Sequence, residues 1–404
     1  RRGMKQPLLI GGATTSRAHT AVKIEPNYDN PVVWVPDASR AVGVASTLLS
    51  RDLRDPYVAE IKADYAKIRE QHAGRGEARK LLPLATARER GFKTDWTAYT
   101  PPVPKQLGIQ VFRDYSLAEI AASIDWTPFF QTWELAGRYP KILNDEVVGE
   151  EARKLFDDAQ EMLNRIINEK WLSANGVIGL FPANTVNSDD IEIYADESRT
   201  ATLMTWHNLR QQMEKPLDRP NMCLADFVAP KDTGVKDYLG AFAVTAGGGR
   251  FDEKLAEFEK AHDDYNAILF KALADRLAEA FAERLHQRVR TEFWGYAADE
   301  NLGNEQLVNE EYQGIRPAPG YPACPEHTEK GPLFELLKAT ENAGIQLTDS
   351  FAMWPAAAVS GFYFSYPQSA YFAVAKIGRD QLEDYARRKG WDIETAEKWL
   401  APNL

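Results

Sequence analysis

The spacing of apolar and polar positions changes character along the chain. Pro7–Ile10 reads as a short apolar strand, Gly11-Gly12 as a turn, and the stretch through Ala21 and Ile24 as a helix capped by Thr or Ser. Pro31–Val35 is a second buried-type strand, and Asp37-Ala38-Ser39-Arg40 opens a second helix over Ala41–Leu49. Two β–turn–α units predict part of a doubly wound parallel sheet. A sheet of that kind takes about five strands, so the others are expected upstream of Arg1. From Arg54 the pattern turns charged, predicting a closing helix and then a linker. Residues 1–72 are therefore assigned to a first domain and 73–91 to the linker.

Residues 92–404 lose the regular strand–helix beat. Trp96, Tyr99, Pro101, Pro102 and Pro104 predict an extended wrap onto a second body. Helices are predicted over 116–124, 149–170, 252–294, 302–312, 330–343 and 379–400. Strands are predicted over 176–181, 190–194, 200–205, 237–245, 361–364 and 370–374, often adjacent and so antiparallel. This is an α+β pattern. In the longest helix, the apolar positions from Leu255 to Val289 recur mostly at three- and four-residue steps and bury one stripe. Asp263, Asp264, Asp275, Glu279 and Glu283 fall outside it, and read as solvated carboxylates paired with Lys271 and Arg276.

Composition narrows the chemistry. With 404 residues, 44% hydrophobic, 26% charged and a net charge of −11, the chain has a globular composition without the basic excess of a general nucleic-acid binder. Two cysteines, Cys223 and Cys324, make neither a disulfide framework nor a zinc cluster, and a reducing cytoplasm is expected. No apolar run approaches the roughly 18 residues of a membrane span. The six histidines show no metal spacing, and neither GxGxxG nor a P-loop occurs. The missing glycines argue against a free-standing Rossmann methyltransferase.

Four constellations remain. Gly11-Gly12 at the end of a strand lets backbone or ligand approach closely, as any tight βα turn would. Arg316 to Pro325 holds four prolines and is a stiff extended loop, with Arg316 either forking a carboxylate or salt-bridged to a neighbour. Asp125, ahead of Pro128, either caps a helix or accepts a ligand's ammonium. Tyr363-Phe364, Tyr366 and Tyr371-Phe372 are either core or the walls of a purine or cation site.

The run Arg316-Pro-Ala-Pro-Gly-Tyr321-Pro-Ala-Cys-Pro-Glu-His327 resembles the RxxxGY motif of the activation domain of cobalamin-dependent methionine synthase. So do Asp125-Trp-Thr-Pro-Phe-Phe130, Gly179–Asn184, Asp190–Tyr194, Leu224–Pro230 and Ser350–Pro355, over essentially all of 92–404. Leu9–Ser16 and Asp37–Arg40 resemble the last third of that family's cobalamin-binding domain. The resemblance implies a C-shaped α+β body around a bent antiparallel sheet, preceded by the last units of a Rossmann-like domain. It implies a methyltransferase that makes methionine through cobalamin, with this region presenting S-adenosylmethionine to remethylate oxidised cobalt. It places the methyl-donor site on Asp125, Glu279, Arg316, Ala318, Tyr321, Tyr371 and Phe372, and the cobalamin tail against Gly11, Gly12 and Ala38. The implied partners are the family enzyme's cobalamin domain and a flavodoxin-like protein or flavoprotein reductase, with no nucleic acid and no membrane. The DxHxxG motif with the lower cobalt ligand is absent, and zinc belongs to the full-length enzyme only. A non-catalytic docking module for the flavoprotein is the alternative.

Overall fold

The computed structural model describes residues 6–11, 16–35, 38–75 and 80–404, and the chain divides between Lys80 and Leu81 into two units. In the first, β1 (Leu8–Gly11) pairs in parallel with β2 (Val32–Val35), Leu8 opposite Val32 and Gly11 opposite Val35. Val33, Val35 and Leu48 form a small core with Val58 and Ile61, contributed by helices Ala38–Leu49 and Arg54–Arg75. The phenol of buried Tyr65 accepts the Trp34 N–H at 2.8 Å, joining the second helix to the strand.

Of the residues expected in the linker over 73–91, 81–91 fall in the second unit. The Leu82 N–H donates to the Gln212 carbonyl at 2.7 Å, and residues 84–89 form a helix whose Leu84 N–H donates to Asp380 at 2.6 Å. Arg88 on that helix pairs with Asp189 and Asp384. Residues 81–91 are thus bonded into the second unit.

The second unit is built on an antiparallel sheet. β3 (Gly108–Phe112), β4 (Leu172–Val186), β5 (Asp190–Tyr194), β6 (Thr202–His207), β7 (Asp237–Gly249) and β10 (Ala358–Tyr363) run in the order β10-β7-β4-β5-β6, with β3 also on β4. A two-residue pair, β8 (Gln346–Leu347) and β9 (Met353–Trp354), stands apart from it. β4 and β7 are buried along most of their length because both faces are covered. On one face Ile178, Leu180, Phe242 and Val244 pack with Ala278, Phe281 and Leu285 of a long helix. Gly176 makes that approach possible, since a Cβ there would sit 3.0 Å from the Phe281 ring. On the other, Val177, Phe181 and Ala243 pack with Leu333, Phe334 and Leu337.

Several elements depart from the sequence reading. The helix expected over 252–294 is Phe251–Lys260, a break at His262 with φ 55°, then Asp264–Arg288 and a π-helical turn Val289–Phe293. Asp263 causes the restart, its carboxylate accepting the Asn266 N–H at 3.1 Å. The strand expected over 370–374 does not form. Val374 is buried, and its N–H donates to the Pro322 carbonyl at 2.8 Å, so that apolar run covers the core without joining the sheet.

Candidate functional site

The long helix Asp264–Arg288 carries a second stripe besides its apolar one. Arg276, Glu279, Glu283, His286 and, in the π-turn, Arg290 follow at steps of three and four, which places them along one face. The sequence pattern predicts solvated carboxylates here, and for Glu283 the structure corrects this: it is 8% exposed, and His286 and Arg290 are fully buried. Lys271 pairs with Glu259 at 3.9 Å and not with the carboxylates of its own helix.

The proline-rich loop is fixed opposite that face by backbone bonds. Ile315 bridges Phe364, and the Phe362 N–H on β10 donates to the Pro317 carbonyl at 2.9 Å. The Gly320 N–H donates to the Cys324 carbonyl at 2.7 Å, and the Cys324 N–H to the Tyr321 carbonyl at 2.9 Å, closing a tight turn. Prolines cannot compete for these bonds, so the loop has few alternatives.

Between helix and loop lies a cavity of about 520 Å³, lined by Glu279, Arg316, Ala318, Tyr321, Tyr371 and Phe372 among others. An adjoining cavity of about 380 Å³ is lined by Asp125, Arg276 and Glu283, and shares Glu279, Glu310 and Arg316 with the first. All seven residues assigned to the methyl donor therefore face one divided cleft. Its volume lies in the range of small-molecule sites, roughly 300–1,000 Å³. A larger cavity, about 700 Å³, opens beside Arg88, Trp96 and Arg210. There the two arginines are already paired with Asp189, Asp226 and Asp384, which leaves little for a ligand.

Arg316 is both salt-bridged and available. Its Nη1 lies 2.8 Å from Glu283 Oε2, donates to the Tyr312 phenol at 2.6 Å, and approaches His286 Nδ1 at 3.3 Å. Among the described residues nothing bonds Nε or Nη2. Burial disfavours the guanidinium charge, but Glu283 and the tyrosines outweigh it and hold it protonated. Burial pushes the Glu283 carboxyl up despite Arg316 and Arg290, and burial with those same two cations keeps the His286 imidazole well below its usual pKa. His286 is thus neutral, and its Nδ1 faces Arg316 as an acceptor.

The remaining residues are placed as follows. Asp125 uses one oxygen to accept the Thr127 N–H at 2.9 Å, so it orders a helix start and also lines the cleft. The Tyr371 phenol accepts the Arg316 N–H at 2.9 Å, and Phe372 packs edge-on to Phe227. Gly11 and Ala38 belong to the first unit, and Gly12 lies outside the described residues. A Cβ on Gly11 would meet the Val35 carbonyl at 2.9 Å, so strand pairing alone accounts for that glycine. Among the described residues, no group of three His, Cys, Asp or Glu could hold a metal ion, and no helix is long and apolar enough to cross a membrane.

Sequence reasoning missed Glu283, Glu310 and Arg276 at this cleft, and His286 and Tyr312 against Arg316. The available signal was their spacing: three- and four-residue steps running on from Glu279, and Tyr312 four residues before Arg316.

A crystal structure of the MetH reactivation domain bound to AdoHcy is 60% identical, with a TM-score of 0.78 over 80% of this chain and 98% of that one. The mixed α+β fold with its antiparallel sheet is the fold of that domain. The family model for the activation domain of vitamin B12-dependent methionine synthase matches residues 116–390, and the chain belongs to that family.

Proposed function

We propose that the cleft binds S-adenosylmethionine and presents its methyl group for reductive remethylation of cobalamin within methionine synthase. The observation that carries this reading is the guanidinium of Arg316, anchored through Nη1 with its Nε–Nη2 edge unbonded on the cleft. That edge matches a carboxylate in two-point geometry. Asp125, Glu279 and Glu310 surround it with carboxylates for an ammonium and a sulfonium. Tyr321, Tyr371 and Phe372 offer aromatic surface for the adenine and the sulfonium. The similar domain holds AdoHcy, the demethylated form of this donor, which supports the assignment.

The chemistry asked of these residues is positioning. When the methyl leaves, the carbon–sulfur bond breaks with its electron pair kept by sulfur, so a sulfonium becomes a neutral thioether and no proton moves. No general base is needed, and the gain comes from holding the donor in line with its acceptor. In the intact family enzyme cobalamin supplies the reduced cobalt that accepts the methyl group, with the electron drawn from a flavodoxin-like protein or a flavoprotein reductase. Calorimetric titration of this chain with S-adenosylmethionine should show one saturable site. Arg316→Ala should weaken it by about 2 kcal/mol, the loss of a charge-assisted fork; an unchanged Kd in that variant overturns the reading.

A further inference from the structure

We propose that Glu283 is a positioning residue for the donor's carboxylate: by capturing Nη1 of Arg316, together with Tyr312, it leaves the Nε–Nη2 edge to the ligand. The inference rests on the proposed S-adenosylmethionine site and concerns how that site is kept ready. A guanidinium has five N–H donors in one plane, two of them on Nη1. The Tyr312 phenol at 2.6 Å and Nδ1 of neutral His286 at 3.3 Å take those two, and the Glu283 carboxylate holds the same nitrogen as an ion pair, Oε2 at 2.8 Å. Of the three remaining donors, one on Nε and one on Nη2 are the pair a two-point carboxylate needs.

The anchor is itself braced. Arg290, fully buried, is held by Glu300 through two bonds of 2.7 and 2.8 Å, and its guanidinium carbon sits 3.9 Å from the centre of the Tyr312 ring. Glu283 Oε1 has no hydrogen bond and lies 4.0 Å from Arg290 Nη1. His286 stacks on Tyr363 with centroids 5.0 Å apart and meets Tyr312 edge-on. Arg316 has a long flexible stem, and Glu279 and Glu310 line the same cavities. Without Glu283 the guanidinium is free to turn onto either of them, which removes the ligand edge and neutralises a carboxylate meant for the donor's cationic end. Glu283 is the buried partner and so is screened least.

The test compares S-adenosylmethionine with its decarboxylated analogue, which keeps the ammonium and sulfonium but lacks the carboxylate. Glu283→Gln should weaken S-adenosylmethionine about tenfold, less than losing a whole charge-assisted fork, and leave the decarboxylated analogue within about twofold. In the Arg316→Ala background Glu283→Gln should add nothing, since the two act as one unit. Equal weakening of both ligands would mean that Glu283 meets the ammonium directly and would overturn the proposal, as would an unaffected Kd. If Glu283→Gln does not fold, Tyr312→Phe removes another of the groups that hold Nη1 and should show the same selectivity on a smaller scale; its indifference also overturns the proposal. The two readings separate cleanly. Binding that depends on Arg316 but not on Glu283 or Tyr312 defeats only the positioning role, whereas binding indifferent to Arg316 defeats the site and this inference with it.

Discussion

Gly320 shows how much of the binding loop rests on one missing side chain. Its φ of 99° is a conformation that L side chains rarely adopt, and a Cβ there would lie 2.6 Å from the His327 ring. His327 cannot easily withdraw, because its Nδ1 lies 2.9 Å from Lys330 Nζ, which also donates to the Phe351 carbonyl. Gly320→Ala should therefore cost about 1–2 kcal/mol from the backbone alone, with the clash in addition. It should lower both the melting temperature and the affinity for S-adenosylmethionine. Adding His327→Ala should restore part of the loss, since it relieves the contact but not the backbone strain; no restoration would assign the whole effect to φ. At this scale the sequence is informative where chemistry and stiffness coincide, as in the run Arg316 to Pro325. It is misleading at Glu283, because helical spacing separates apolar from polar positions and cannot tell a solvated carboxylate from one buried against a guanidinium 33 residues on.

Among the elements, the central strands were legible and the margins were not. β5 was expected over 190–194 and forms there, and β4 and β7 extend the expected runs. Their apolar residues face cover on both sides, so the pattern is continuous and strong. β3 was missed because its β-branched residues Ile109 and Val111 are the exposed ones, so it lacks an alternation of buried apolar and exposed polar positions. One buried group at the start of β7 makes the sheet sensitive to pH. The Asp237 carboxylate accepts the Ala229 N–H at 2.8 Å and the Tyr238 N–H at 2.7 Å, yet burial pushes its pKa up to about 7 against those bonds and Arg199. An unfolded aspartate titrates near 4, roughly. The folded state therefore holds a proton that the unfolded state has lost, and this contribution is complete at low pH and disappears as pH rises through 7. Asp237→Asn cannot titrate, so its stability relative to the wild type should climb between about pH 4 and pH 7, by at most about 1.4 kcal/mol per pH unit, and level off above. Chemical denaturation of both proteins across that range checks it; a constant difference would show that Asp237 is ionised throughout.

For the second unit as a whole, the ends of the chain are sewn to the sheet by buried ions. Arg210, 2% exposed, donates to Asp189 at 2.8 Å and to both oxygens of Asp226 at 2.7 and 2.9 Å. Arg88 joins Asp189 to Asp384, and Arg388 joins Asp384 to Asp190, so helices 84–89 and 379–389 meet β5 through one chain of charges. None of this was visible in the sequence. Arg88 and Asp384 are 296 positions apart, and neither sits in a pattern that names its partner. The family resemblance found the fold at this scale, while local reading could only count its elements. Buried pairs contribute modestly when intact and expensively when broken, because the survivor stays desolvated. Arg210→Met should therefore cost about 3–5 kcal/mol by stranding Asp226 and leaving Asp189 to Arg88 alone, which for a unit of this size is a fall of roughly 1–2 °C in Tm per kcal/mol. Arg379→Ala, which removes exposed pairs to Glu383 and Glu397, should leave Tm unchanged. Raising salt from 0.1 to 1 M should not close the gap between these variants, since screening reaches surface pairs and not the Arg210 cluster. A gap that closes in high salt would place that cluster in contact with solvent and make the buried network the wrong account of how the unit holds its ends.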